Sequence, residues 1–219
     1  MTKPRDGLFI PVKWLASLMA GEENCQWGPW FKAHYAGYDQ LPSDFQMAAW
    51  TAEHTVLLDN IIRQRSQLNE GIFKEEQNSF RLPVSGKPGM KLSGKPDLVT
   101  VDGTGLCRVF DAKTGMPRQS DTIQVMLYMM LLPHLSAYRG KEFTGYVVYK
   151  TGVSEIPWVA INAEFKGLVT HFINILGEGS PPPKTSSFYT CRFCRITSAD
   201  CPERHHAGPS AAADDEGDE

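Results

Sequence analysis

The chain has 219 residues, 42% apolar and 21% charged, with a formal net charge of −3. These proportions describe a soluble globular domain, with or without an appendage, and no apolar run approaches the roughly 18 residues of a membrane-spanning helix. The negative sign is set by the last residues: Asp214, Asp215, Glu216, Asp218 and Glu219 lie in a tail of low apolar bulk, and without them 22 basic face 20 acidic side chains, or +2, so charge neither supports nor excludes a nucleic-acid partner.

Residues 11–20 and 26–36 read as short helices around Gly21–Asn24. A long helix is expected over 43–68, capped by Ser43, with an apolar stripe through Met47, Trp50, Leu57, Leu58 and Ile61. The period then changes. Residues 71–84 and 90–101 are strand-like, and LCRVFDAK at 106–113 is a short apolar strand. Residues 119–132 are apolar nearly all round, which predicts a buried helix. Two more strands are expected at 142–150 and 156–161, then an amphipathic helix at 163–176. Ser180–Lys184, with three consecutive prolines, is a stiff linker into a cysteine-rich end. This order predicts an α/β (α+β) fold, a mixed sheet with helices packed on it. The N-terminal segment lacks the apolar run and cleavage site of a secretory signal, so the expected compartment is the cytoplasm, where disulfides are rare.

The chemistry concentrates in GKPDLVTVDGTGLCRVFDAKTG, residues 94–115. A three-residue turn at Gly103-Thr104-Gly105 would set Asp97 opposite Asp111, with Cβ atoms about 5 Å apart. Lys113 lies two residues beyond Asp111 and so points to the same face. Two carboxylates and an ammonium on one spot suit phosphodiester hydrolysis: a hard cation polarises the phosphate, and the lysine orients water or stabilises developing charge. The plain alternative is a surface hairpin with a solvated Asp–Lys pair. The apolar flanks Val109, Phe110 and Ala112, and Pro96 beside Asp97, argue instead for a central strand entered through an irregularity.

GKPDLV, FDAKTG and QVMLYMMLL together resemble the PD-(D/E)xK nuclease superfamily, RecB-like branch. The resemblance implies a restriction-endonuclease-like fold. It also implies metal binding by Asp97 and Asp111, a catalytic Lys113, and a following helix that brings Gln124 and Tyr128 to the site. Position 111 is Asp where many relatives carry Glu. His54 matches a further metal ligand of the family, and Glu75 or Glu76 matches an assisting acid; His54 also lies on the apolar stripe, where a core histidine is the alternative. Mn²⁺ or Mg²⁺ is the implied cation.

At the C-terminal end, CRFCRITSADCPER carries cysteines 191, 194 and 201 with spacing C-x2-C-x6-C and a proline after the last. One group within the RecB-like branch, the iron–sulfur CRISPR-associated RecB-like exonucleases and the AddB nuclease domain, joins such a cluster to one N-terminal cysteine around a 4Fe–4S centre. The resemblance implies that Cys25, Cys191, Cys194 and Cys201 form such a clasp. Structural Zn²⁺ on the four thiolates, or on three with His205 or His206, remains open. Cys107 reads as a small core residue. The implied organisation is an N-terminal helical part (1–42), a nuclease core (43–178), a cysteine cluster (179–206) and a disordered acidic tail (207–219). Aromatic and basic residues near the clasp point to single-stranded DNA as partner, with Lys32, Arg192 and Arg195 as expected solvent-facing contacts. The function implied is a 5′ to 3′ single-strand DNA exonuclease, working with CRISPR adaptation or repair proteins. A non-catalytic DNA-binding subunit and a recombination exonuclease on duplex ends are the alternatives.

Overall fold

A computed structural model of the chain describes residues 2–43 and 45–205. The expected acidic tail and His206 lie outside the described residues. In chain order the elements are β1 (Lys3–Pro4), β2 (Phe9–Pro11), α1 (Val12–Met19), α2 (Trp27–His34), β3 (Tyr35–Ala36), α3 (Met47–Gln67), β4 (Gly71–Lys74), α4 (Glu75–Asn78), β5 (Phe80–Pro83), β6 (Lys91–Gly94), β7 (Leu98–Val101), β8 (Cys107–Lys113), α5 (Gln119–Leu131), β9 (Phe143–Tyr149), β10 (Gly152–Ile156), α6 (Ala163–Gly177) and α7 (Phe188–Cys191). The main sheet has the order β10-β9-β8-β7-β4; β8 and β9 run parallel and the other pairs antiparallel. A smaller sheet orders β2-β6-β5. The mixed sheet flanked by helices agrees with a restriction-endonuclease-like fold.

Strand β8 is central and buried on both faces, as its apolar flanks require. Its alternation divides the molecule into two cores. Val109 faces the large core formed with α1, α2, α5 and α6. Phe110 and Ala112 face a smaller one closed by Ile61, Leu57 and Leu58 of α3. The parallel β8–β9 pair requires a crossover, and α5 supplies it. It lies close on β9 because that strand carries Gly145: a Cβ there would meet Val125 Cγ1 at 2.5 Å and Met129 Sδ at 2.6 Å.

Three sequence expectations change. The segments 71–84 and 90–101 are not continuous strands; each crosses from one sheet to the other. The first crossing is the helical turn α4, held by Asn78 Nδ2 donating to Phe73 O (2.6 Å) and Gln77 Oε1 accepting from Lys74 N (2.9 Å). The second runs through Lys95 and the donor-less Pro96, between β6 and β7. The strand expected at 156–161 instead precedes Pro157, as β10, after a two-residue turn at Lys150 and Thr151. Finally, α3 starts at Met47 without a side-chain cap; among the described residues Ser43 Oγ accepts from Phe45 N and not from the first turn of the helix. Its stripe is half wet, with Met47 61% and Trp50 37% exposed.

Candidate active site

The β7–β8 register pairs Leu98 with Phe110 and Val101 with Cys107. The turn between them is the three-residue loop 103–105: Gly105 N donates to Asp102 O at 3.0 Å, and Gly105 has φ +91°. One step beyond the last pair the same register brings Asp97 level with Asp111. Asp97 Oδ2 accepts from Ala112 N at 2.7 Å, which ties its carboxylate across the hairpin, and lies 3.1 Å from His54 Nε2 of α3.

Asp111 and Lys113 project from β8 toward α5. Lys113 Nζ lies 2.6 Å from Asp111 Oδ2 and 3.8 Å from Asp121 Oδ1. Gln124 joins the group: its Nε2 donates to Asp111 Oδ1 (3.2 Å) and to Tyr128 OH (2.9 Å), while its Oε1 accepts from Lys113 Nζ (3.2 Å). Tyr128 OH reaches Lys95 O at 3.5 Å. The residues expected from the sequence, His54, Asp97, Asp111, Lys113, Gln124 and Tyr128, are therefore brought together. The first five line one cavity of about 520 Å³.

Electrostatics follow from burial. Asp111 is 2% exposed; desolvation pushes its carboxyl up to about 6, with Lys113 opposing and Asp97 adding to the rise. Burial opposes the charge on Lys113, yet Asp111, Asp121 and Asp97 outweigh it and hold the ammonium above its ordinary value. His54 is raised chiefly by its hydrogen bond to Asp97. Burial raises Tyr128, and the nearby Asp111 adds to the effect, so its phenol stays protonated.

The donor set suits a divalent cation. Asp111 Oδ2 is buried, and among the described residues its one close partner is Lys113 Nζ, in an ion pair at 2.6 Å. Such an oxygen has a lone pair to give. Asp97 and His54 are the adjacent oxygen and nitrogen donors. Among the described residues no three His, Cys, Asp or Glu side chains are already drawn into metal-ligating geometry. Of the two assisting acids considered, Glu75 and Glu76 both pair with Lys95, at 2.6 and 2.8 Å, and Glu75 is the less exposed and adds to the raising of His54.

Sequence reasoning missed Asp121, whose Oδ2 accepts from Tyr149 OH (3.0 Å) and Arg118 N (3.1 Å). It sits one turn before Gln124, so Asp121, Gln124 and Tyr128 at i, i+3 and i+7 form one polar stripe; reading that stripe on an otherwise apolar helix would have found it. Lys13, Glu22, Lys95 and Arg118, which also line the cavity, had no signal of comparable strength.

The four cysteines also converge. Cys25, Cys191, Cys194 and Cys201 line one small cavity together with Trp27, Lys184 and Arg204, although the iron–sulfur clasp itself is not part of what the fold shows. The loop is braced by Arg204, which donates to Cys194 O (2.6 Å), Cys191 O (2.9 Å) and Ile196 O (3.0 Å). The chain ends meet here too: Leu41 N donates to Arg195 O at 2.9 Å and Thr185 Oγ1 to Asn24 O at 2.8 Å. The four thiols line one space, but among the described residues no three of them stand in metal-ligating geometry. Cys107 is fully buried core.

The expected basic contacts divide. Arg192 is exposed and stacks on Phe193 at 4.4 Å. Arg195 is exposed but committed to Leu41 O through Nε and Nη2. Lys32 is not solvent-facing: it is half-buried, 3.2 Å from Glu23 and over the Trp14 ring. Trp27 and Trp30 are core, not surface.

A central hairpin presenting two acids and a lysine to a Gln–Tyr helix, within a mixed sheet, defines a nuclease-type centre. Residues 29–199 match the PD-(D/E)XK nuclease superfamily, and the chain belongs to it. That superfamily comprises nucleases that hydrolyse DNA phosphodiester bonds and typically use Mg²⁺ or Mn²⁺. Among solved structures the chain is similar to the crystal structure of SSO0001, with 17% identity and a TM-score of 0.46 over 93% of this chain and 90% of that one. No curated protein matches it.

Proposed function

We propose that this nuclease is an exonuclease of the RecB-like branch that degrades single-stranded DNA, 5′ to 3′, at the Asp97–Asp111–Lys113 centre. The observation that carries the catalytic part of this reading is the buried Asp111 carboxylate, held between Lys113 and Gln124 and level with Asp97 across the hairpin. Asp97, Asp111 and His54 would hold the Mn²⁺ or Mg²⁺. The cation supplies Lewis-acid polarisation of the phosphate and acidifies a water.

The chain's own residues do the rest. Gln124 fixes Lys113 from one side and Asp111 from the other, so the ammonium is oriented before substrate arrives. Lys113 stays charged at neutral pH and neutralises charge that develops on the phosphorane oxygens. Tyr128, protonated, sets the orientation of the Gln124 amide. The four cysteines would hold a 4Fe–4S cluster, with Zn²⁺ as the competing occupant, as a structural clasp between the chain ends. Arg192 beside that clasp is the candidate DNA contact among the three basic residues expected from the sequence. A cytoplasmic role in trimming DNA ends, for CRISPR adaptation or repair, is consistent with this chemistry.

The test is incubation of anaerobically purified protein with Mn²⁺ and end-labelled single-stranded and duplex DNA. Short products from the single strand, absent with Asp111→Ala, support the reading. Equal cleavage by Asp111→Ala removes it, and preference for duplex ends favours the recombination exonuclease.

A further inference from the structure

The cavity that holds Asp97, Asp111 and Lys113 has an apolar rim that the hydrolytic chemistry does not use. Phe45, Met47, Trp50 and Met116 all line it. They are exposed by 55, 61, 37 and 83%. Large apolar side chains on a protein surface are ordinary when scattered, but grouped at the mouth of a polar site they mark a ligand surface. Trp50 is held in place: its ring stacks on His54 at 4.9 Å and 24° on one side, and Phe45 leans against it at 6.0 Å. The stack on His54 fixes the indole within one residue's reach of Asp97, because His54 Nε2 contacts that carboxylate. The exposed cations Lys13 and Arg118 line the same cavity.

Flat π faces beside cations, next to a phosphodiester-cleaving centre, match one ligand chemistry: an unpaired nucleotide, with its base on the aromatic surface and its phosphates toward the ammonium and guanidinium groups. A base within a duplex has both faces covered by its neighbours and reaches such a surface only after unstacking. We propose that Trp50, with Phe45 and Met116, forms a nucleobase platform that seats an unpaired base beside the scissile phosphate and so selects single strands. This rests on the nuclease reading above and adds to it a specificity-determining surface.

The experiment compares an oligothymidylate with a wholly abasic oligonucleotide of equal length, which keeps the phosphates and lacks the bases. Binding is read by fluorescence anisotropy in Ca²⁺ and cleavage as kcat and KM in Mn²⁺, for the parent, Trp50→Ala, Trp50→Phe and Phe45→Ala. The expected result is a loss of about ten-fold in oligothymidylate affinity for Trp50→Ala, the size of one base–aromatic stack. It should appear mainly in KM, be restored by Trp50→Phe, be smaller for Phe45→Ala, and be absent on the abasic strand. Equal losses on both strands would mean that Trp50 only supports His54, and unchanged affinity would mean no platform; either overturns the proposal while leaving the nuclease reading intact. A parent that cleaves neither strand removes both together.

Discussion

Metal-free protein is expected to lose stability as pH rises from about 4 to 7, and Asp111→Asn to remove much of that loss. Asp111 is 2% exposed and its carboxyl is pushed up to about 6. A folded-state value above the unfolded one means that the native state binds more protons between the two, so stability falls as pH climbs through that interval. Against an ordinary 3.8, the displacement corresponds to about 3 kcal/mol at about 1.4 kcal/mol per pH unit. His54 acts with the same sign in a later window. Its raised value gives stability that is complete below 6.5 and lost as pH passes the folded value. The Asn variant carries at every pH the neutral side chain that the parent carries in acid, so it should match the parent most closely at low pH and show a flatter pH dependence between about 4 and 6. Urea denaturation in EDTA at several pH values, followed by tryptophan fluorescence, measures both slopes. Mn²⁺ at 100 times its dissociation constant should restore about 2.7 kcal/mol to the parent and none to the variant. Parallel slopes for the two proteins would refute the reasoning that burial of this carboxylate is unfavourable until a cation arrives.

Lys113→Met should lower kcat by at least about 10²-fold with little change in single-strand affinity measured in Ca²⁺, because the ammonium acts on charge that appears only in the transition state; an equal loss in affinity would make it a ground-state contact instead. Gly145→Ala should destabilise by about 1–3 kcal/mol in chemical denaturation, since its Cβ would overlap Val125 and Met129, and Val125→Ala in the same chain should recover part of it. Gly94→Ala would bring a Cβ to 2.5 Å from Phe80 Cζ and 2.8 Å from Tyr128 Cε1, so stability in chemical denaturation and cleavage activity should both fall; an unchanged protein in both assays would show that neither ring is held in place there. With the proposed iron–sulfur clasp, anaerobically purified protein should be brown and Cys201→Ser should bleach it and lower its melting temperature, whereas a colourless, zinc-bearing parent would identify the other thiolate metal.

How much of the fold and site is legible in the sequence depends on whether local rules act alone. The hairpin register follows from period-two alternation and one turn type, so those two rules suffice to set Asp97, Asp111 and Lys113 on one face. Gln124 and Tyr128 follow from helical spacing. The sheet crossings at α4 and Pro96 do not, because strand propensity at 71–84 and 90–101 is continuous and only tertiary pairing decides which sheet a residue joins. The stripe on α3 misleads for a related reason. Periodicity reports that a face is apolar, but not whether protein or ligand covers it, and Trp50 and Met47 line a cavity instead of a core. Lys32 looks free in the sequence because its partner Glu23 lies on a preceding loop, outside the helix that defines its local surroundings.

The placement of the charge-stabilising groups follows from topology. A parallel β8–β9 pair obliges the intervening chain to cross over the sheet, and Gly145 lets that helix settle directly on β9. Once α5 lies there, any polar residue on its inner face must meet the outward alternation of β8. Asp121 and Gln124 therefore meet Asp111 and Lys113 without help from a loop. The groups asked to stabilise charge are thus fixed by two elements of the buried core, which keeps reorganisation small at the moment of reaction. The candidate substrate surface comes from segments outside that pair: Phe45 precedes α3, Trp50 lies in its first turn, held by its stack on His54, and Met116 sits in the β8–α5 loop.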